Sequence, residues 1–276
     1  MIVQGLKQRI LTTPFGRWLS TAREILELTH AAIRNREAVG THANDEISTS
    51  LVVRLPKPGS VFVDVGAHIG SITAAVLAHC PDVRVIAIEA TPDKAKRLRL
   101  RFPRATVHDC AVGEQDGTAS FHLDRRRSGY NSLRRPSKSG TDVTEIQVGV
   151  KRLDDLVGNE AVDVVKIDVE GAELGVLRGA PELLRNHRPL VMFESGPTSS
   201  EVLGFTKNGL WEEFERHDYA IQVPNRVAHE DDGLGLDGFL ESHIYPRRTT
   251  NYFAVPRERR TEFRDRARAI LGIKTN

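Results

Sequence analysis

The chain carries a carboxylate, a glycine turn and a second carboxylate at the spacing a nucleoside needs. The first two stand in the run Val61-Phe62-Val63-Asp64-Val65-Gly66-Ala67-His68-Ile69-Gly70. The third is Glu89, nineteen residues beyond Gly70, at the end of the apolar run Val83-Arg84-Val85-Ile86-Ala87-Ile88. A carboxylate offers two oxygens to the two hydroxyls of a ribose. Glycines let backbone approach a ligand, because no Cβ blocks the way. A glycine turn after one buried strand and an acid closing the next is the layout of a nucleoside-binding α/β domain. The form Gly66-x-x-x-Gly70 departs from the G-x-G-x-x-G that wraps a pyrophosphate. Asp64, two residues before the first glycine, is a poor neighbour for phosphate and a good one for an ammonium and a sulfonium. S-adenosylmethionine carries both, with a ribose and an adenine. On this reading Glu89, with Ala90 beside it, takes the ribose. Gly66, Ala67, His68 and Gly70 pass close to the methionine part, and Asp64 orients its amino group. Asp109, Cys110 and Ala111 border the adenine.

A second acidic group lies in Val162-Asp163-Val164-Val165-Lys166-Ile167-Asp168-Val169-Glu170-Gly171-Ala172-Glu173. Asp168 and Glu170 are two apart at a strand end, so they face one side while the chain stays extended. Glu173 opens the next helix, where a carboxylate also serves the helix terminus. Asp168 suits a place beside the sulfonium. Asp168, Glu170, Glu173 and His68 are the candidates for taking a proton from an acceptor hydroxyl. Glu194, ending a further strand, joins the acceptor side. Tyr130 and Asn131 suit stacking on and hydrogen bonding to a sugar-like acceptor, and Arg127 in the basic stretch before them suits an anionic group. His229 and His243 are loop histidines open to the role of base. A hard divalent ion is conceivable on Asp168, Glu194 and neighbouring oxygens, but the ligand spacing is not dense and no metal is expected.

The elements that position these residues follow from hydrophobic pattern. Strands are expected at 61–65, 83–89, 106–112, 162–169 and 189–194, with helices over 71–79, 92–100 and 172–184. Tyr219–Val223 and Tyr252–Val255 read as an edge hairpin. Such alternation implies a mostly parallel sheet with helices on both faces. A helical extension fills 1–55, its apolar face within Thr21–Glu37 suited to packing, a lid or a homodimer contact. The catalytic domain spans 56–256, with insertions near 114–157 and 224–250 on the substrate side. A basic helix or tail, 257–276, reads as a solvated face.

With these motifs in order, the chain resembles the FkbM family of S-adenosylmethionine-dependent methyltransferases. The residues that carry the resemblance are Asp64-Val65-Gly66-Ala67-His68-Ile69-Gly70, Glu89, Arg152-Leu153-Asp154-Asp155-Leu156, Lys166-Ile167-Asp168-Val169-Glu170-Gly171-Ala172-Glu173, Gly179-Ala180 and Glu194. Ala90-Thr91-Pro92 departs from relatives that read proline straight after the acid. The resemblance covers roughly residues 60–196. It implies a Rossmann-like class I methyltransferase fold with a seven-stranded sheet. It also implies O-methylation of sugars, glycosylated metabolites or polyketide-like natural products.

Composition sets the remaining bounds. The 276 residues are 39% apolar and 28% charged, with a net charge of +2, which fits a globular α/β chain and singles out no partner. Aromatics make up 6%, few for a reader of single-stranded RNA that depends on stacking, so an RNA methyltransferase is the weaker alternative. A NAD-dependent oxidoreductase suffers from the glycine spacing. Cys80 and Cys110 have no metal-type spacing and fit reduced thiols. With neither a membrane span nor a signal segment expected, a cytoplasmic enzyme acting on a small hydroxylated acceptor is the reading.

Overall fold

The computed structural model describes residues 36–124, 143–196 and 204–274. Arg127, Tyr130, Asn131 and most of the expected Thr21–Glu37 helix lie outside the described residues.

Four apolar residues and one acid form β1 (Val61–Val65), and all five are buried. Around it lie β2 (Arg84–Ile88), β3 (Thr106–His108), β7 (Val162–Ile167), β8 (Leu190–Glu194), β9 (Tyr219–Gln222) and β10 (Asn251–Pro256). Their spatial order is β3-β2-β1-β7-β8-β10-β9. The pairs from β3 to β8 are parallel, and β10 runs antiparallel to both its neighbours. The expected antiparallel pair is therefore present, but β10 enters between β8 and β9 and leaves β9 at the edge. The expected third strand is shorter. It leaves the large sheet at Asp109, and Ala111–Val112 becomes β4 of a second sheet, with β5 (Gly117–Asp124) and β6 (Val143–Lys151) in the order β4-β6-β5.

Alternate residues of the central strands feed two cores. Val61, Val63, Val65, Val165 and Ile167 pack on one face of the sheet, and Phe62, Val85, Ala87 and Val164 on the other. Burial on both faces explains why these strands read as unbroken apolar runs. Helices α2 (Ser71–His79), α3 (Pro92–Arg101), α4 (Leu153–Val157) and α5 (Glu173–Arg178) lie in the crossovers, with α6 (Lys207–Arg216) and α7 (Leu236–Glu241) after β8. Helix α5 is shorter than the expected 172–184. It stops where a Cβ at Gly179 would stand 2.1 Å from the Gly113 carbonyl oxygen, and a π turn over Leu183–His187 follows.

Both ends of the described chain pack on one core. Leu51 and Val52 of α1 (Val39–Arg54) and Phe263 and Ala267 of α8 (Arg260–Leu271) are fully buried with Phe62 and Phe253. The tail read as a solvated basic face thus has a buried side. Two of its arginines also turn inward, Arg259 and Arg266 meeting the buried Asp163 at 2.9 and 2.6 Å. Among the described residues no helix is long and apolar enough to cross a membrane.

Candidate active site

A cavity of ≈ 320 Å³ runs across the carboxyl ends of the parallel strands, where open α/β sheets bind ligands. Ile88, Cys110, Ala111, Val112 and Phe121 wall one end, Gly66, His68 and Glu89 stand in the middle, and Asp168, Glu170 and Glu194 close the other end.

The middle is built by backbone geometry. Gly66 has φ +78°, and a Cβ there would lie 1.9 Å from the Asp168 carbonyl oxygen, so only glycine lets β1 and β7 end this close together. His68 is also left-handed, at φ 52°. Its N–H donates to Glu89 Oε2 at 2.8 Å, and the Thr91 N–H donates to Glu89 Oε1 at 2.9 Å. Each oxygen of Glu89 is therefore fixed by one backbone donor and keeps lone-pair capacity for a ligand. The side chain is 6% exposed, on the cavity wall.

The acidic end is electrostatically tuned. Burial works against the Asp168 carboxylate, yet the Lys166 ammonium and a hydrogen bond with Glu194 outweigh it and hold its pKa low. Burial and the charge on Asp168 push Glu194 well up. Burial, then the charges on Asp168 and Glu173, push Glu170 up to about 7. Glu170 is held at φ 55°, an uncommon conformation for a side-chain-bearing residue that re-aims it at the cavity. Asp168, Glu170 and Glu194 each offer a carboxylate oxygen, all within 4.8 Å of one another, a spacing that one divalent cation spans.

Of the expected cofactor residues, Gly66, His68, Glu89, Ala90, Cys110, Ala111 and Asp168 line this cavity, as do Glu170 and Glu194. Asp64, Ala67, Gly70, Asp109 and Glu173 do not. Asp64 is 1% exposed, and the ammonium it meets is the chain's own: Lys166 Nζ lies 3.3 Å from Asp64 Oδ1, while Thr73 Oγ1 donates to Asp64 Oδ2 at 2.7 Å. Ala67 packs in the core, and Gly70 makes room for Leu98 of α3 and for Phe102 just beyond it rather than for a ligand. Asp109 turns outward to Arg99 at 2.9 Å. Glu173 is buried, and its Oε1 accepts from the Gly171 N–H at 3.1 Å, so it holds the turn after β7; burial pushes it up to about 7. His243 does not line the cavity and meets the residue after Glu194. Its Nε2 is 2.8 Å from Ser195 Oγ, and burial holds it down at about 4, as a neutral ring. The Cys110 thiol is pushed up to about 11 by burial, which makes it an apolar wall and not a nucleophile.

Lys166, Lys94 and Phe121 belong to no expected site in the sequence. For Lys166 a signal was present, an ammonium inside an otherwise apolar strand. Lys94 and Phe121 reach the cavity only through the placement of α3 and of the second sheet, which no local pattern announces.

The strand order 3-2-1-7-8-10-9, with one reversed strand and a cavity across the carboxyl ends, is the Rossmann-like class I methyltransferase architecture. Residues 64–221 match the model of the Methyltransferase FkbM domain, and the chain belongs to that family. "Methyltransferase 1" of Beauveria bassiana (strain ARSEF 2860) is 28% identical over 144 residues, covering 44% of this chain and 58% of that protein. "2-O-methyltransferase NoeI" of Sinorhizobium fredii (strain NBRC 101917 / NGR234) is 27% identical over 161 residues, covering 52% and 66%. The matched segments thus span about three fifths of these relatives. Among solved structures, Methyltransferase FkbM from Methylobacillus flagellatus KT is similar at a TM-score of 0.47 with 21% identity, over 86% of this chain and 60% of that one.

Proposed function

We propose that this chain is an S-adenosylmethionine-dependent O-methyltransferase acting on a hydroxyl of a sugar-containing or polyketide-like small molecule. The observation that carries the reading is Glu89, whose two oxygens are each aimed by a backbone N–H onto the cavity wall. Two fixed oxygens suit a ribose diol. The apolar end beyond it suits an adenine, and the acidic end beyond Gly66 suits a positively charged arm. The residues present therefore fit the cofactor. When bound, S-adenosylmethionine supplies a methyl group activated for in-line displacement.

The chain's own groups align and take a proton. Asp168, kept ionised by Lys166, faces the cationic centre. Glu194, kept protonated, can donate a hydrogen bond to the acceptor. Glu170 is the general base, because its raised pKa poises it near neutral pH and it lines the cavity. The likeness to a 2-O-methyltransferase supports a hydroxyl acceptor.

Titration calorimetry tests the cofactor half. Native protein is expected to bind S-adenosylmethionine and S-adenosylhomocysteine, and Glu89→Ala to weaken both by about 10–100-fold, the cost of charged hydrogen bonds. Absence of binding to the native chain would sink the reading. A mass-spectrometric screen of candidate glycans and metabolites for a gain of about 14 Da, CH₃ replacing H, tests the acceptor half.

A further inference from the structure

Lys166 is a buried ammonium that the chemistry above uses only as a charge. It stands on β7 opposite Asp64 in the parallel register, at 5% exposure, and it does not line the cavity. Its Nζ donates to the Gly66 carbonyl oxygen at 2.9 Å and lies 3.3 Å from Asp64 Oδ1 and 3.4 Å from Asp168 Oδ2. The compact head thus hydrogen-bonds two carbonyls at the end of β1, those of Gly66 and, at 3.5 Å, Val65, and forms ion pairs with the carboxylates of Asp64 and Asp168. Three of these four residues, Val65, Gly66 and Asp168, line the cavity.

The consequence is geometric. The peptide between Gly66 and Ala67 is pinned at both ends, its oxygen by Lys166 and its N–H by the Ile88 carbonyl at 3.0 Å. The same ammonium sets where Asp168 stands relative to that peptide. Glu89 is held by other donors, the N–H groups of His68 and Thr91. The two halves of the cavity therefore have separate supports.

We propose that Lys166 is a positioning residue for the amino-acid arm of the cofactor: one buried donor ties the Gly66 carbonyl to the Asp168 carboxylate and fixes the seat between β1 and β7. The inference rests on the cofactor reading above. It predicts that loss of Lys166 weakens ligands that carry the arm and spares those that lack it.

S-adenosylhomocysteine and adenosine are the two probes, titrated calorimetrically into the full chain. Breaking one side of a buried ion pair is strongly destabilising, so the first variant neutralises the fully buried Asp64–Lys166 pair, Asp64→Asn with Lys166→Met, and leaves Asp168, whose side chain is 42% exposed, to solvent. The second, Lys166→Arg, keeps the charge and displaces the donor. Both are expected to weaken S-adenosylhomocysteine by about tenfold or more, because a seat misplaced by a fraction of an ångström costs that much, while adenosine changes by less than about twofold. Native-like binding of S-adenosylhomocysteine by either folded variant overturns the proposal. So does an equal loss for both ligands, which marks general loosening. A native chain that binds adenosine and S-adenosylhomocysteine alike removes the arm's seat itself. Failure of the native chain to bind either defeats the cofactor reading instead.

Discussion

At the scale of single residues, the acidic end divides its labour through charge. Three carboxylates this close cannot all ionise, and Lys166 decides that Asp168 does. Glu170, at about 7, is left to titrate in the working range. A general base acts when deprotonated, so turnover should rise with pH through about 7 and then level off. Glu170→Gln is expected to remove that limb and to lower kcat by about 10²–10⁴-fold, the usual worth of a positioned base. A kcat profile on the acceptor found by the mass screen checks this, and an unchanged limb in Glu170→Gln would assign the base elsewhere.

At the scale of elements, the ends of β1 and β7 meet without space for a methyl group. Gly66→Ala places a Cβ on the Asp168 carbonyl and forces a positive φ on alanine, so urea unfolding should show a loss of about 3 kcal/mol or more. The turn after β7 also carries a buried acid. The pKa of Glu173 is raised in the fold, so the stability linked to its proton is present below its ordinary value near 4.5 and lost as pH rises through about 7. Glu173→Gln keeps an oxygen for the Gly171 N–H and has no proton to lose. Its melting temperature is expected to exceed the native one at pH 8, by on the order of 3 kcal/mol in stability, and to show no such gain at pH 5.

At the scale of the whole molecule, the segments before and after the motif-bearing strands close one core. Phe263 of α8 is fully buried beneath the sheet, with the guanidinium groups of Arg259 and Arg266 at 4.5 and 4.7 Å from its ring centre. Phe263→Ala should therefore cost about 3–5 kcal/mol by denaturant unfolding, as a core cavity does, although the residue is remote from the site. A loss below about 1 kcal/mol would return α8 to the role of a surface helix.

The motifs were legible because they are local. Strand, glycine turn and closing acid are contiguous, so the order of the elements and the presence of Glu89, Asp168 and Glu170 at the strand ends that line the cavity follow from the chain read in order. The expected extended pairing of Asp168 with Glu170 does not hold, because β7 ends at Ile167 and Glu170 reaches the cavity through a left-handed turn at φ 55°. The motif around Asp64 suits a ligand contact but does not say to which side of the sheet the carboxylate turns. The register of β1 against β7 settles that by setting it opposite Lys166. The spacing of Gly70 likewise suits a ligand approach, and Leu98 of α3 with Phe102 fills the space it leaves. The type of each site residue was written in the sequence; the face it presents was decided by strand pairing and helix packing, which join residues that the chain keeps far apart.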